Sequence, residues 1–260
     1  MMRTCPSLSE MASASKPVDQ HAPCAIPVRI ASVAPDIEVW QMCLNQEMPV
    51  VQQFENLLSP DEKLRSQRFH AERHRRRFIV SRGALRVLLS HQTKMPPAEI
   101  VFSYASHGKP FVPEPADHVN FNVSHSEECA VYAISRQYQL GVDVEFLHRK
   151  IEFEAIAKRF FAPGEYADLC VLPHAMRKRA FMACWTRKEA VIKALGDGLS
   201  IPLDQFRVTV DPEVMPRILE ISANHHKVSD WHMCTIDAGS DYYATLAGYP
   251  SRIHDARGYR

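Results

Sequence analysis

The run Gly141-Val142-Asp143-Val144-Glu145 limits what this 260-residue chain can fold into more than any other. Side chains alternate faces along a β-strand, so Val142 and Val144 share one side and Asp143 and Glu145 share the other. The valines point into a core. The two carboxylates are then held together on one face, where they repel each other unless something neutralises them. A hard cation such as Mg²⁺ suits such a pair, because it takes a few carboxylate oxygens and keeps positions open for substrate phosphates. From these five residues alone, the plainer reading is an exposed edge bearing two solvated acids.

A helix further along adds to this pattern. Over Arg177–Leu195, a rotation of about 100° per residue puts Phe181, Trp185, Ile192 and Leu195 on one face, which goes into the core. Glu189 and Lys193 are four apart and neighbour each other on the flank of that stripe. Gly196 stands where a C-cap glycine ends a helix. A surface ion pair and a metal-and-phosphate site both fit this Glu and Lys, and the periodicity does not choose between them.

Before the carboxylate strand, Ile37–Leu44 alternates imperfectly and predicts a first strand. Ser59, Pro60 and Glu62 form a helix-start pattern leading into a helix with Leu64 and Phe69. A second helix follows, over about Glu72 to His91, with Phe78, Leu85, Leu88 and Leu89 as its stripe. The segment from Met95 to Pro115 is Pro- and Gly-rich, with a strand-like Ile100–Tyr104 inside it. Strands are predicted at His118–Val123, Ala130–Ser135 and Leu140–Phe146. Helices follow at Glu152–Phe161 and Pro163–Leu172. Short strands come last, at Phe206–Val210, Ile218–Ile221, His232–Ile236 and Tyr243–Ala247. Strands and helices do not alternate regularly, which argues for α+β over a doubly wound parallel sheet.

The charge total, 31 basic against 30 acidic residues, writes no strongly charged partner surface into the chain. Seven cysteines at 5, 24, 43, 129, 170, 184 and 234, with no CxxC, suit free thiols in a reducing cytosol. No apolar run approaches the roughly 20 residues of a membrane span. The first 27 residues lack a signal-peptide core and read as a disordered tail or a misassigned start.

Taken together and in order, three blocks resemble the signature of the surfactin-type 4′-phosphopantetheinyl transferases. They are Asn122-Val123-Ser124-His125-Ser126, Gly141–Glu145, and Trp185-Thr186-Arg187-Lys188-Glu189-Ala190-Val191-Ile192-Lys193 continuing to Leu199. Gly108-Lys109-Pro110 is similar to a shorter upstream block, and Arg159-Phe160-Phe161 with Glu165-Tyr166 to the segment between the second and third. The resemblance covers roughly Ser59 to Val210. It implies an α+β pseudo-dimer of two similar α/β half-domains, 28–139 and 140–260, with the active site between the halves, in a monomer.

The resemblance further implies a cytoplasmic enzyme of the holo-[acyl-carrier-protein] synthase type. Such an enzyme moves phosphopantetheine from coenzyme A to a serine of an apo acyl, polyketide or peptidyl carrier protein and releases 3′,5′-ADP. It implies Mg²⁺, with Mn²⁺ as a substitute, on Asp143, Glu145 and Glu189, and Glu189 as the group that accepts the serine proton. Lys193, Ser124 and His125 match positions at the phosphates. Lys109 matches a nucleotide-contacting lysine, and Arg65 a basic position near the 3′-phosphate. The sequence departs from some relatives at Phe78, which stands where they carry a phosphate-contacting threonine; Arg73, Arg75, Arg76, Arg77 and Arg82 surround it.

Other readings rank lower. Ser124, His125 and Asp143 do not form a hydrolase triad, because adjacent residues on an extended chain point apart and no GxSxG elbow exists. The basic run Arg73–Arg77 covers most of a helix circumference and offers no stripe for nucleic acid. His225-His226 lacks the i, i+4 spacing of a helical zinc site. His107 and His118 carry no pattern. Trp231 and Tyr242-Tyr243 suit packing better than a stacking platform. Neither nucleic acid nor membrane is expected as a partner. The alternative is a catalytically weak relative that binds coenzyme A or a carrier protein, which the three intact carboxylates speak against.

Overall fold

The computed structural model describes residues 25–34, 36–105, 108–113, 119–196, 201–221 and 227–251. Most of the N-terminal tail, the end of the third block (Asp197-Gly198-Leu199), His107, His118, His225 and His226 lie outside these residues. In chain order, strands β1 (Val28–Ala34) and β2 (Ile37–Cys43) precede helices α1 (Met48–Leu57), α2 (Pro60–Gln67) and α3 (Glu72–Thr93). Two-residue strands β3 (Ser103–Tyr104) and β4 (Pro110–Phe111) follow, then β5 (Asn120–Ser126), β6 (Cys129–Ser135) and β7 (Tyr138–Phe146). Helices α4 (Phe153–Phe160), α5 (Pro163–Val171) and α6 (His174–Leu195) lead to β8 (Phe206–Val208), β9 (Ile218–Ile221), β10 (His232–Ile236) and β11 (Tyr242–Pro250).

Two antiparallel sheets, ordered β1-β2-β6-β5 and β10-β11-β7, pack face to face. Their shared core takes Ile37, Val39, Val131, Ala133, Leu140, Val142, Val144 and Leu246. The outer face of the first sheet packs on α1 and α3 through Phe121, Tyr132, Phe54, Leu85, Leu88 and Leu89. The outer face of the second packs on α6 through Tyr243 and Ala247. This layering explains why Cys129–Ser135 reads as a nearly continuous apolar run. Odd residues of β6 fill the core between the sheets, even ones fill the helix-side core, and none of the seven is exposed. The chain crosses from one sheet to the other in two residues, Arg136-Gln137. No described helix is long and apolar enough to cross a membrane.

Three sequence expectations change. The strand-like Ile100–Tyr104 forms a strand only at Ser103–Tyr104; Pro97–Glu99 turns as a 3₁₀ helix just before it, and Ile100 is drawn into the core instead. Helix α1 and strand β1 were not predicted. The first is short, with Pro49 in its first turn and only Val51 and Phe54 buried, and the second has irregular register with β2. The apolar stripe of α6 is real, with Phe181 and Ile192 buried and Trp185 and Leu195 partly so, but it is too narrow. Thr186, Arg187 and Lys188 are also wholly enclosed, because β7 and β11 cover one side of the helix and α4, α5 and β8 cover the other.

A close approach fixes α6 on the sheet. A Cβ on Gly141 would lie 1.9 Å from the Ala190 carbonyl oxygen and 2.4 Å from the Ala194 nitrogen, so only glycine lets β7 touch the helix backbone there. At the far end Gly196 takes φ +81° and its N–H donates to the Ile192 carbonyl, ending the helix as its position in sequence predicts.

Candidate active site

The close approach at Gly141 brings the third block against the second. Asp143 and Glu145 leave β7 on the side facing α6, and Val142 and Val144 fill the core behind them. Lys193, on the last turn of α6, donates to Asp143 Oδ1 at 2.6 Å, to Ser124 Oγ at 3.0 Å and to the Val142 carbonyl at 3.2 Å. Ser124 in turn donates to Asp143 Oδ1 at 2.9 Å. Glu189 stands one turn before Lys193 on the same helix and feels both strand carboxylates.

The electrostatics follow from this crowding. Burial and then the neighbouring Asp143 carboxylate raise the Glu145 carboxyl above its ordinary value; Arg149 and the Ser126 hydroxyl pull the other way. Glu189 is raised by burial, then by Asp143 and Glu145, against the pull of Lys193. Asp143 is buried, and its Oδ2 has no hydrogen-bond partner among the described residues. Among those residues no three acidic, histidine or cysteine side chains converge as tightly as a metal ion requires. Their chemistry still suits a hard cation: the carboxylates of Asp143, Glu145 and Glu189 repel one another, and Asp143 Oδ2 is buried with no hydrogen-bond partner among the described residues, a charge excess that a cation drawing them together would relieve.

Beside the carboxylates, and sharing Ser126 and Arg149 with them, opens a cavity of about 510 Å³. That volume is within the range of small-molecule sites. Arg65, Arg77, Arg82, Arg149, His74 and His125 line it, against one acid among the described residues, Glu127. Guanidinium forks held on such a wall suit phosphate groups. Of the five arginines around Phe78, the cavity takes Arg77 and Arg82. Arg75 is paired with Glu55 and Arg76 with Glu72 instead. Arg77 is anchored by Glu127 and Glu128. Phe78 also lines the cavity, its ring 5.5 Å from that of Phe69 and covered by the Arg65 guanidinium at 5.4 Å. His125 opens onto the cavity; the walls around it, then the Lys193 charge, lower its pKa.

Lys109 sits elsewhere than the cavity wall. Its ammonium donates to the carbonyls of Lys193 (2.7 Å) and Leu140 (3.2 Å), tying the β3–β4 segment to the end of α6, and burial lowers its pKa to about 8. Several residues around the site escaped the sequence reading. Glu165 and Lys188, the residue before Glu189 on α6, form a fully buried ion pair at 2.8 Å. Arg149 pairs with Glu145 at 3.5 Å. Ser126 donates to Glu145 Oε2 at 3.0 Å. The signal for Ser126 was its two-residue spacing from Ser124; Lys188, beside Glu189 in a charged stretch, gave none.

Comparison with known proteins identifies the family. Residues 139–247 match the model of the 4′-phosphopantetheinyl transferase superfamily, and residues 45–137 match that of 4′-phosphopantetheinyl transferase, N-terminal. The 4′-phosphopantetheinyl transferase HetI of Nostoc sp. is 35% identical over 74% of this chain and 82% of its own. The 4′-phosphopantetheinyl transferase Sfp of Bacillus subtilis is 34% identical over 78% of this chain and 88% of its own. The chain belongs to the 4′-phosphopantetheinyl transferase superfamily. A crystal structure of Thermotoga maritima holo-[acyl-carrier-protein] synthase aligns over 44% of this chain and 64% of that one, at 19% identity and a TM-score of 0.35, so membership rests on the sequence matches.

Proposed function

We propose that this protein transfers the 4′-phosphopantetheine group of coenzyme A to a serine of an apo carrier protein, leaving the holo carrier and 3′,5′-ADP. The observation that carries this reading is the meeting of Asp143, Glu145, Glu189 and Lys193 beside an arginine-lined cavity, in a chain of this superfamily.

In this reading the arginine wall and His125 hold the phosphates of coenzyme A, with Arg65, Arg77 and Arg82 offered to its terminal phosphate. Phe78 then contributes a ring instead of a hydroxyl, and the guanidinium groups around it supply the charge. The serine oxygen forms a bond to the phosphorus that carries the pantetheine arm, and the bond from that phosphorus to the 3′,5′-ADP oxygen breaks. Glu189 accepts the serine proton, directly or through a water. Lys193 reaches a departing phosphate from its place against Asp143. Asp143, Glu145 and Glu189 would hold Mg²⁺ or Mn²⁺, which when bound supplies Lewis-acid neutralisation of the pyrophosphate. Asp143 Oδ2, which has no hydrogen-bond partner among the described residues, and the raised values of the two glutamates support that set.

The holo-[acyl-carrier-protein] synthase type and a monomeric state belong to this proposal. So does the division into half-domains 28–139 and 140–260, for which the support is one sheet and one 22-residue helix on each side of the Arg136-Gln137 crossing. The test is the intact mass of apo fatty-acid, polyketide and peptidyl carrier proteins after incubation with the protein, coenzyme A and Mg²⁺. A metal-dependent gain of one phosphopantetheine, abolished when the carrier serine is alanine, is expected. No gain on any carrier, together with no binding of coenzyme A, overturns the reading.

A further inference from the structure

Strands β5 and β7 run parallel but exchange no strand-to-strand backbone ladder. The link is made by side chains at three evenly spaced positions. Asn122 Oδ1 accepts from the Val142 amide at 2.9 Å, Ser124 Oγ from Val144 at 3.3 Å, and Ser126 Oγ from Phe146 at 3.0 Å. Both strands have a side-chain period of two, so every second residue of β5 faces every second amide of β7. The two serine rungs do something the asparagine rung does not. Each hydroxyl also donates its proton to the carboxylate one residue earlier on β7: Ser124 to Asp143 Oδ1 at 2.9 Å, and Ser126 to Glu145 Oε2 at 3.0 Å.

Ser126 is buried, and its two bonds fix its rotamer. An amide pushes from one side while the carboxylate pulls from the other. Glu145, with more rotatable bonds than Asp143 and repelled by it, has among the described residues one further hydrogen-bond or ion-pair partner, the half-exposed Arg149 at 3.5 Å. Without the Ser126 bond its carboxylate is free to swing outward along with Arg149.

We infer that Ser126 is a positioning residue: it locks the Glu145 carboxylate toward Asp143 and Glu189 and thereby sets the affinity of the site for its divalent cation. The inference rests on the metal reading proposed above. Groups that orient a ligating carboxylate in this way contribute about 10- to 100-fold to metal affinity. Asn122 supplies the internal comparison, because it makes the same kind of rung with no carboxylate attached.

The experiment is Mn²⁺ titration of the full chain with coenzyme A and no carrier protein, read by electron paramagnetic resonance, beside thermal unfolding of the same samples. Wild type is compared with Ser126→Ala, Ser126→Thr and Asn122→Ala. Ser126→Ala is expected to bind Mn²⁺ about tenfold more weakly, with Ser126→Thr restoring the affinity. Asn122→Ala is expected to lose stability while keeping Mn²⁺ affinity within about a factor of two. Unchanged affinity in Ser126→Ala overturns the role, as does an equal loss in Asn122→Ala, which would make the rungs structural only. No Mn²⁺ binding by wild type at all would instead overturn the metal reading, and this role with it.

Discussion

The Lys193 ammonium lies 2.6 Å from Asp143 Oδ1, joining the last turn of α6 to the carboxylate strand. Both groups are largely withdrawn from water. The pair therefore serves two ends: Lys193 is available to a phosphate, and it compensates the charge of Asp143. Lys193→Met is expected to lower kcat/KM for coenzyme A roughly 100-fold and to cost on the order of 3 kcal/mol of stability, because it leaves a buried charge unpaired. Lys193→Met/Asp143→Asn should recover much of the stability and none of the activity. Steady-state kinetics and denaturant unfolding check both; an unaltered coenzyme A dependence in Lys193→Met would remove the residue from the site.

Gly141→Ala places a methyl group against the backbone of α6. Backbone cannot yield as a side-chain tip can, so β7 and the helix must separate. A loss of about 3 kcal/mol or more is expected, together with activity falling further than stability alone explains, since Glu189 and Lys193 move away from Asp143. Unfolding and activity measured at a temperature where the variant is still folded separate the two effects.

The Glu165–Lys188 pair has no exposed surface, and its remaining bonds go to the amides of Ala162 and Val208 and the carbonyls of Leu203 and Phe206. Lys188→Met alone strands the carboxylate and should cost roughly 3–5 kcal/mol. The double variant Glu165→Leu/Lys188→Met should regain most of that. Chemical denaturation of the three proteins gives the comparison; full stability in Lys188→Met would mean the pair contributes nothing.

Glu145 and Glu189 ionise at higher pH in the folded chain than in the unfolded one. Across the window between the ordinary carboxylate value and the raised one, the folded state therefore binds more protons. Stability from these groups is complete below the ordinary value and is lost as the pH rises through the folded value. In chelator, Glu189→Gln should thus melt above wild type at neutral pH, and the difference should vanish below about pH 4. Its transfer activity, and that of Asp143→Asn and Glu145→Gln, should fall roughly 100-fold or more. A neutral-pH melting temperature no higher than that of wild type would contradict the mutual repulsion.

The sequence by itself determined the local elements and the site's inventory. Period-two alternation put Asp143 and Glu145 on one face, period 3.6 put Glu189 beside Lys193, and Gly196 marked where the helix stops. Each of these depends only on residues within one element. The order of the blocks carried the family resemblance, and the family matches agree with it. Tertiary structure alone decided which arginines line the cavity, that Lys109 ties the end of α6, that Lys188 is enclosed with Glu165, and that Ser126 reaches Glu145. All of these join residues on different elements. They depend on how closely the layers approach, as at Gly141, and no periodicity within a single strand or helix encodes that distance.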